Sequence, residues 1–174
     1  MSRDAYCSSC GTPYADTAPY PRECAACGDL VWTNPKPVAV VLVPVVVADR
    51  TGLLVIRRAI PPVGGLALAG GFVDGDETWQ QAGAREVYEE ASLVVDSTAI
   101  EPLWFSSTTP NPNLVLLFGV TPPVAASDLP PFTPNSEVSE RGVAFGPRGL
   151  VFPLHETAAQ MYFGVDGPAE FTPL

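Results

Sequence analysis

Histidine is nearly absent from this sequence. One residue of 174, His155, is a histidine. A Ser-His-Asp or Cys-His catalytic site would have to use it, and no nucleophile-elbow sequence surrounds any serine. We therefore expect His155 to begin a helix or to lie on the surface. The glycine pairs at 64–65 and 70–71 also lack the spacing of a P-loop or of a dinucleotide-binding fingerprint.

Basic residues are scarce as well. Nine lysines and arginines stand against nineteen aspartates and glutamates, which gives a formal net charge of −10. Such a chain is poorly equipped to bind nucleic acid or an anionic membrane over a broad surface. An enzyme of this composition that acts on phosphates would need metal ions to neutralise the charge in its site.

The sequence has no hydrophobic run long enough to span a bilayer. The longest apolar stretch, residues 37–48, is too short and contains Pro44. The first ten residues are polar and do not resemble a signal peptide. We expect a soluble cytoplasmic protein. The 47% apolar content supplies a core, and the length suits one ordinary domain with a small appendage.

All four cysteines precede residue 28 and form two Cys-x-x-Cys pairs, Cys7 with Cys10 and Cys24 with Cys27. A glycine follows each pair and permits the tight turn that directs backbone N–H groups at the sulfurs. Two such pairs separated by 13 residues suit a tetrahedral Cys₄ zinc site, whereas a redox pair is the alternative. Because four thiolates leave no open position, we predict structural Zn²⁺ in a ribbon over residues 1–34.

Residues 35–174 combine β-branched segments with two helical patterns. Strands are predicted at 38–48, 53–58, 100–106, 114–120 and 138–145, with a bulge or edge position at Pro44. A first helix follows an acidic loop and is expected to be capped by Gly75 or Asp76, with Glu77 favoured by the helix dipole. A second helix is expected over 153–163, and residues 164–174 are expected to fray. The order predicts an α+β fold with a mixed sheet flanked by helices.

Three carboxylates lie on one side of the first predicted helix. At roughly 100° per residue, Glu86, Glu89 and Glu90 fall within an arc of about 100°. Like charges at this spacing weaken a helix by about a few tenths of a kcal/mol for each pair. A divalent cation between them would offset this cost, and Mg²⁺ prefers oxygen ligands. The spacing therefore indicates a metal site.

Residues 71–93 resemble the Nudix box, a motif with fixed spacing. The matching positions are Gly71, Glu77, Arg85, Glu86, Val87, Glu89, Glu90 and Leu93. The one mismatch is Ser92, where the family has glycine; a left-handed backbone there would cost about 1 kcal/mol. The resemblance covers roughly residues 36–163. It implies the α-β-α sandwich of the Nudix fold and a hydrolase, dependent on Mg²⁺ or Mn²⁺, of a nucleoside diphosphate linked to another moiety.

The resemblance also implies roles for individual residues. Glu86, Glu89 and Glu90 would hold the metal ions together with the Gly71 carbonyl, and Arg85 would pair with Glu77. Two assignments of the general base stay open. Glu86 is one candidate. The other candidate is Glu137, outside the box, which would serve as base or metal ligand, with Glu140 as the second choice. The alternative is that both glutamates are solvated acids of a loop.

Four further residues are weaker candidates for substrate binding. Arg57 and Arg58 close a predicted strand and could approach phosphates, or they could be ordinary surface arginines. Trp104 and Phe105 could stack on a base, although packing in the core is the alternative.

A Cys₄ ribbon before a Nudix domain resembles the NADH pyrophosphatase branch of the family. The loop Ser107–Asn113 retains the proline spacing of that branch at Pro110 and Pro112 but lacks its aromatic residues. Substrates resembling NADH or NAD and substrates resembling ADP-ribose therefore both stay open. The alternative is a catalytically weak or inactive Nudix scaffold that uses the ribbon for protein or nucleic-acid contacts. Few basic residues lie in the ribbon, so a structural role or a homodimer contact is expected there.

Overall fold

The computed structural model describes residues 5–15, 19–168 and 170–174. Parts of the predicted ribbon (1–4 and 16–18) and residue 169 of the predicted tail lie outside this description. The chain divides into two compact units, Met1–Pro35 and Lys36–Leu174. Within the described residues no helix is both long and apolar enough to cross a membrane.

The first unit contains two turns of matching geometry and one small sheet. Its strands are β1 (Arg22–Glu23) and β2 (Leu30–Val31), which pair antiparallel. Gly11 donates its N–H to the Cys7 carbonyl oxygen and Gly28 donates to that of Cys24, both at 2.8 Å. Both glycines have φ = +74°, a left-handed value that explains why glycine closes each Cys-x-x-Cys pair.

The second unit contains ten strands and two α-helices in the described residues. The strands are β3 (Lys36–Leu42), β4 (Pro44–Val47), β5 (Arg50–Arg58), β6 (Leu66–Ala67), β7 (Ala69–Phe72), β8 (Glu101–Ser107), β9 (Leu114–Val120), β10 (Val124–Ala125), β11 (Val138–Ala144) and β12 (Phe171–Pro173). The helices are α1 (Trp79–Ala91) and α2 (Pro153–Phe163).

Both sheets of this unit are mixed. One has the order β7-β3-β9-β8, in which β3 is parallel to β9 and antiparallel to β7. The other has the order β10-β4-β5-β11-β12, and β6 pairs with β5. Strand β7 carries Gly70 and Gly71, so its pairing with β3 fixes the backbone from which the acidic loop departs. Mixed sheets accompanied by two helices confirm the predicted fold class.

The stretch predicted as one strand over 38–48 is two strands in different sheets. Strand β3 ends at Leu42 and β4 begins at Pro44, which has no N–H to donate to a ladder. Between them Val43 is fully buried, and its carbonyl oxygen accepts from Leu54 N at 2.9 Å. The valine-rich run therefore crosses from one sheet to the other inside the core.

The first helix begins later than predicted. Its N-cap is Thr78, whose hydroxyl accepts from Gln81 N at 3.2 Å, while Thr78 N donates to the Gln81 side chain at 2.8 Å. This is a capping box, and the Thr-x-x-Gln sequence was its available signal. The predicted cap at Gly75 or Asp76 is wrong, because Glu77 precedes the helix and belongs to the loop.

Helix α1 packs tightly on strand β3. Its buried face includes Ala82, Gly83, Val87 and Ala91. A Cβ on Gly83 would lie 2.6 Å from a methyl carbon of Val41, so only glycine permits this approach. Glu90 is buried on this side of the helix as well, Glu86 is partly buried beside it, and Glu89 is exposed. The packing of the helix therefore sets the position of the glutamates.

The C-terminal segment is paired rather than frayed. Strand β12 runs antiparallel to β11, with Ala144 opposite Phe171 and Gly142 opposite Pro173. Leu174 N also donates to the Arg141 carbonyl oxygen at 3.0 Å. The prediction failed because three residues are too few to show the alternation of a strand.

Candidate active site

Arg85 joins the acidic loop to helix α1. Its Nη2 donates to Glu77 Oε1 at 2.7 Å and its Nε to Glu77 Oε2 at 3.2 Å. The same Nη2 lies 3.0 Å from the Phe72 carbonyl oxygen. The hydrogen bond from Arg85 lowers the pKa of Glu77, which keeps that carboxylate ionised. The structure thus has the Arg85–Glu77 contact that the resemblance implied.

Arg85 also reaches two of the proposed metal ligands, which sequence reasoning missed. Its Nη1 donates to Glu86 Oε1 at 2.8 Å and to Glu89 Oε2 at 3.4 Å. The contact with Glu89 has the i, i+4 spacing of a helical ion pair and was available from the sequence. One guanidinium therefore orients three carboxylates and one carbonyl.

Glu86 lies directly against Gly71. A Cβ on Gly71 would fall 2.2 Å from Glu86 Oε1, so the carboxylate occupies the space that a larger residue would fill. The Glu86 side chain is 13% exposed. Burial raises its pKa, an effect increased by the charges of Glu89 and Glu137 and opposed by Arg85.

Glu90 is the most buried of the three glutamates, with 6% of its surface exposed. Its Oε2 accepts from Gly70 N at 2.9 Å. Burial raises its pKa to about 7, the charges of Glu86 and Glu137 add to this, and the Gly70 N–H and the Arg58 charge oppose it. A cation would stabilise the ionised form of such a carboxylate. Glu89, in contrast, has a side chain that is 54% exposed.

A separate loop places Glu137 within electrostatic reach of these glutamates. Asn135 holds this loop: its Nδ2 donates to the Glu89 carbonyl oxygen at 2.9 Å, and its Oδ1 accepts from Glu137 N at 2.9 Å and Val138 N at 2.8 Å. Sequence reasoning missed the role of Asn135, although asparagine is a known turn residue because its side chain can accept from the backbone N–H two residues later, as it does here from Glu137. The charge of Glu137 raises the pKa of both Glu86 and Glu90.

The second-choice residue Glu140 has a different partner. Arg57 Nε donates to Glu140 Oε2 at 2.8 Å, and Arg57 Nη1 donates to the Gly64 carbonyl oxygen at 3.0 Å. These contacts occupy both side chains. Arg57 and Glu140 therefore form an ion pair between strands β5 and β11.

Arg58 lines a cavity of about 550 Å³ that also borders Gly70 and Gly71. Its Nη2 donates to the Pro61 carbonyl oxygen at 2.8 Å. Among the described residues, no carboxylate lies within ion-pair distance of this guanidinium. Of the two predicted arginines, Arg58 is thus the one that offers positive charge beside residues 70–76, the end of β7 and the acidic loop after it, which we call the glycine loop.

His155 lies in the wall of the same cavity, and the expectation of a surface residue is wrong. It is 6% exposed, and its Nδ1 accepts from Leu68 N at 3.2 Å. Burial lowers its pKa to about 3, with a smaller contribution from the charge of Arg58. It does occupy the first turn of α2, as the sequence suggested, but a single residue gives no periodic signal of burial.

Trp104 and Phe105 lie elsewhere. Trp104 stacks on Phe118, with ring centroids 5.5 Å apart, and Phe105 is 71% exposed. Together with Trp79 they line a second cavity of about 250 Å³ that shares no lining residue with the first. The structure therefore does not bring them to the glycine loop.

The four cysteines of the first unit converge. Their sulfur atoms all lie within 4.8 Å of one another. The Cys7 and Cys27 sulfurs are 3.7 Å apart, and those of Cys10 and Cys24 are 3.5 Å apart. The Cys10 backbone N–H is the main group that lowers the pKa of Cys7, to about 6. Four thiols at these separations fit the ligand set of tetrahedral zinc.

Comparison with known sequences identifies the family of this chain. The sequence model of the NUDIX domain matches residues 35–164. Over 132 residues the chain is 32% identical to the NAD-capped RNA hydrolase NudC of Deinococcus radiodurans, a match that covers 72% of this chain and 44% of that protein. The chain thus spans less than half the length of this curated relative.

Solved structures show the same fold. A NUDIX hydrolase from Nitrosomonas europaea superposes with a TM-score of 0.62 at 23% identity, over 93% of this chain and 94% of that one. A bifunctional NMN adenylyltransferase/ADP ribose pyrophosphatase from Francisella tularensis, complexed with AMP and a manganese ion, gives a TM-score of 0.52 at 18% identity, over 75% and 40%. By its sequence and its fold, this chain belongs to the Nudix family.

Proposed function

We propose that this chain is a Nudix pyrophosphohydrolase that cleaves a nucleoside diphosphate linked to another moiety. The observation that carries the proposal is the convergence of two carboxylates, one buried and one partly buried, on consecutive glycines. Glu90 accepts from the Gly70 N–H, and Glu86 lies against Gly71. This arrangement borders a cavity large enough for part of a small-molecule substrate.

The donor atoms have the chemistry that a hard divalent cation needs, although among the described residues the cysteines are the one group of three or more metal-ligating side chains whose ligand atoms already converge. All the side-chain donors are oxygens, as Mg²⁺ and Mn²⁺ require. Burial is the main cause that raises the pKa of both Glu86 and Glu90, and a bound cation would stabilise their ionised forms. Glu86, Glu89 and Glu90 would hold it with the Gly71 carbonyl, and Glu137 could add a ligand. When bound, such an ion neutralises phosphate charge and lowers the pKa of an attacking water.

The protein's own residues supply orientation and charge. Arg85 fixes Glu86 relative to the loop, through its contacts with both Glu77 and the Phe72 carbonyl oxygen. Arg58 has no carboxylate partner among the described residues and would attract a substrate phosphate where the cavity meets the glycines. Glu137 is exposed on a loop held by Asn135 and is our preferred acceptor of the proton from water, with Glu86 as the alternative.

The names of the relatives support a dinucleotide-like or ADP-ribose-like substrate. The Deinococcus protein is a hydrolase of NAD-capped RNA, and the Francisella protein includes an ADP ribose pyrophosphatase. NAD and ADP-ribose both contain a pyrophosphate between adenosine and a second ribose. We infer that this chain accepts at least one compound of that class.

We further propose a structural Zn²⁺ bound by Cys7, Cys10, Cys24 and Cys27 in a ribbon of residues 1–34, followed by a Nudix domain of residues 35–174. The convergence of the four sulfurs supports this assignment. Because all four ligands come from the protein, the ion would stabilise the ribbon and leave no position for substrate.

A substrate panel tests the proposed activity. Purified protein is incubated with Mg²⁺ or Mn²⁺ and NADH, NAD, ADP-ribose, diadenosine polyphosphates or nucleoside triphosphates, and released mononucleotide is measured by chromatography. We expect release from at least one of the dinucleotide-like or ADP-ribose-like compounds. Hydrolysis of none of the compounds would instead favour a Nudix scaffold that binds without catalysis.

Matched variants link any activity to the glutamates. We expect Glu89→Gln and Glu90→Gln to lower kcat/KM by about 100-fold or more, because each removes a charged ligand of the proposed ion. Glu101→Gln is the control, since Glu101 is exposed on β8 and away from the glycine loop. Full activity in both ligand variants would contradict the metal-site assignment.

A further inference from the structure

His155 has a defined protonation state that the proposed hydrolysis does not use. A backbone N–H can only donate, so the bond from Leu68 N requires an unprotonated Nδ1 on His155. The low pKa imposed by burial keeps the ring neutral near pH 7. In a neutral imidazole with an unprotonated Nδ1, the hydrogen is on Nε2. His155 is therefore a fixed hydrogen-bond donor through Nε2.

No protein group in the described part of the chain accepts this hydrogen bond. Among those residues, the ring's one hydrogen-bond partner is the Leu68 N–H. Nε2 is not among the described side-chain atoms that lack both solvent contact and a partner, so it keeps some contact with solvent. His155 lines the cavity, which is the space from which a ligand would approach this atom. Aromatic contacts hold the ring in place, with Phe152 at 5.0 Å and Phe118 at 5.8 Å between centroids.

The composition of the cavity wall restricts the ligand that this donor can meet. Most lining residues are aliphatic or aromatic, and Arg58 is the one charged residue among those described. Among the described residues no carboxylate lines the cavity, so a cationic group in contact with this wall would meet Arg58 and no acidic partner there. Beside Arg58 and the hydroxyls of Thr108 and Thr109, His155 is the one aromatic donor of this largely apolar wall among the described residues. Such a wall suits a flat, uncharged ring that carries an acceptor atom.

We propose that His155 is a specificity-determining residue whose Nε2–H donates to a ring nitrogen or carbonyl oxygen of an uncharged nitrogen heterocycle of the substrate, bound in this cavity. This inference rests on the proposed function for the position of the phosphates beside Gly70 and Gly71. Because the cavity borders these two glycines, the ring and the phosphates would belong to one molecule. It assigns ligand discrimination to a residue outside the Nudix box.

Two substitutions separate the donor from the structural role of the ring. In His155→Asn the side-chain oxygen can still accept from Leu68 N, but no donor reaches the position of Nε2. In His155→Gln the amide can place a donor near that position, whereas the bond to Leu68 is lost. A purely structural histidine would thus be replaced better by asparagine, and a ligand-binding one by glutamine.

The test measures, by calorimetry with Mg²⁺ present, the affinity of the full chain for AMP, GMP, CMP and UMP. Each affinity is compared with that for ribose 5-phosphate, which has no base. For the wild type we expect at least one nucleotide to bind about tenfold or more tightly than ribose 5-phosphate. His155→Asn should weaken that nucleotide about tenfold and His155→Gln less than about threefold, while ribose 5-phosphate is unaffected by either.

Each outcome bears on the inference separately from the hydrolysis. Equal affinity of the wild type for nucleotides and ribose 5-phosphate would overturn the inference. A nucleotide affinity that is unchanged in His155→Asn would also overturn it, and so would one that is lost only in His155→Gln. Either result could accompany normal hydrolysis of the substrate panel, in which case the proposed activity stands. Conversely, the expected pattern of affinities without any hydrolysis would support the ring site and contradict catalysis.

Discussion

The substitution Gly71→Ala tests how closely the glycine loop and the helix must fit. The new Cβ would lie 2.2 Å from Glu86 Oε1, 2.4 Å from its carboxyl carbon and 2.7 Å from Oε2. Ordinary van der Waals contact begins at 3.4 Å, so the carboxylate has to withdraw by about 1 Å or more. The movement would also disturb the 2.8 Å bond from Arg85 to Glu86.

The expected effect is large on activity and small on stability. The group that must move is the end of a flexible side chain, so the backbone can stay in place, and we expect the free energy of unfolding to change by less than about 1 kcal/mol. A displacement of about 1 Å in a group that positions the reaction costs about 100-fold in rate. This corresponds to about 2.7 kcal/mol of transition-state stabilisation.

The assay compares kcat/KM of the wild type, Gly71→Ala and Gly75→Ala on one active compound of the substrate panel, with thermal unfolding measured in parallel. Gly75 is the matched control, because it lies in the same loop and a Cβ there would meet nothing within 4 Å. Activity of Gly71→Ala within about threefold of the wild type would refute the reasoning. So would an equal loss in Gly75→Ala, since the effect could then not come from the contact with Glu86.

Three other predictions concern Arg85, the zinc ligands and His155. Arg85→Lys keeps the charge but cannot contact Glu77 and the Phe72 carbonyl oxygen together. We therefore expect kcat/KM to fall about tenfold or more at saturating Mg²⁺, and a loss under about twofold would contradict this reasoning. Elemental analysis should find one zinc per chain and none in Cys24→Ser, and a metal-free wild type with four reactive thiols would overturn the Cys₄ assignment. Because the pKa of His155 is about 3 when folded and 6.5 when unfolded, the unfolded state takes up the proton first as the pH falls. Between about pH 6.5 and 4.5 the wild type should therefore lose roughly 2.5 kcal/mol more stability than His155→Gln in urea titrations, and equal losses would disprove the burial effect.

The helical position of the three glutamates and the contact between Arg85 and Glu77 were predictable because their signals are local. Glu86, Glu89 and Glu90 follow helical spacing, and the arc that they share depends only on the geometry of an α-helix. The pairing of Arg85 with Glu77 came from the resemblance to a motif of fixed length. In both cases the relevant residues lie within 14 positions of one another in the sequence.

The features that the sequence did not reveal depend on distant contacts. The burial of His155 follows from Leu68, which is 87 residues away, and the anchoring of Asn135 from the carbonyl of Glu89, 46 residues away. The valine-rich run around Val43 reads as one strand, since its apolar character is the same on both sides of the crossing. Which sheet receives each half is decided by the strands that pair with it.

The contacts of Arg85 set a limit on the length of the chain between loop and helix. One rigid guanidinium touches the Phe72 carbonyl oxygen at one end of this segment, Glu77 within it and Glu86 just beyond it. A residue inserted in the helix before Arg85 would rotate Arg85 by about 100° and turn its guanidinium away from Glu77 and the Phe72 carbonyl oxygen. An insertion between Phe72 and Glu77 would bulge the loop away from it. The segment therefore tolerates a substitution at a position such as Gly75 far more readily than an insertion or a deletion.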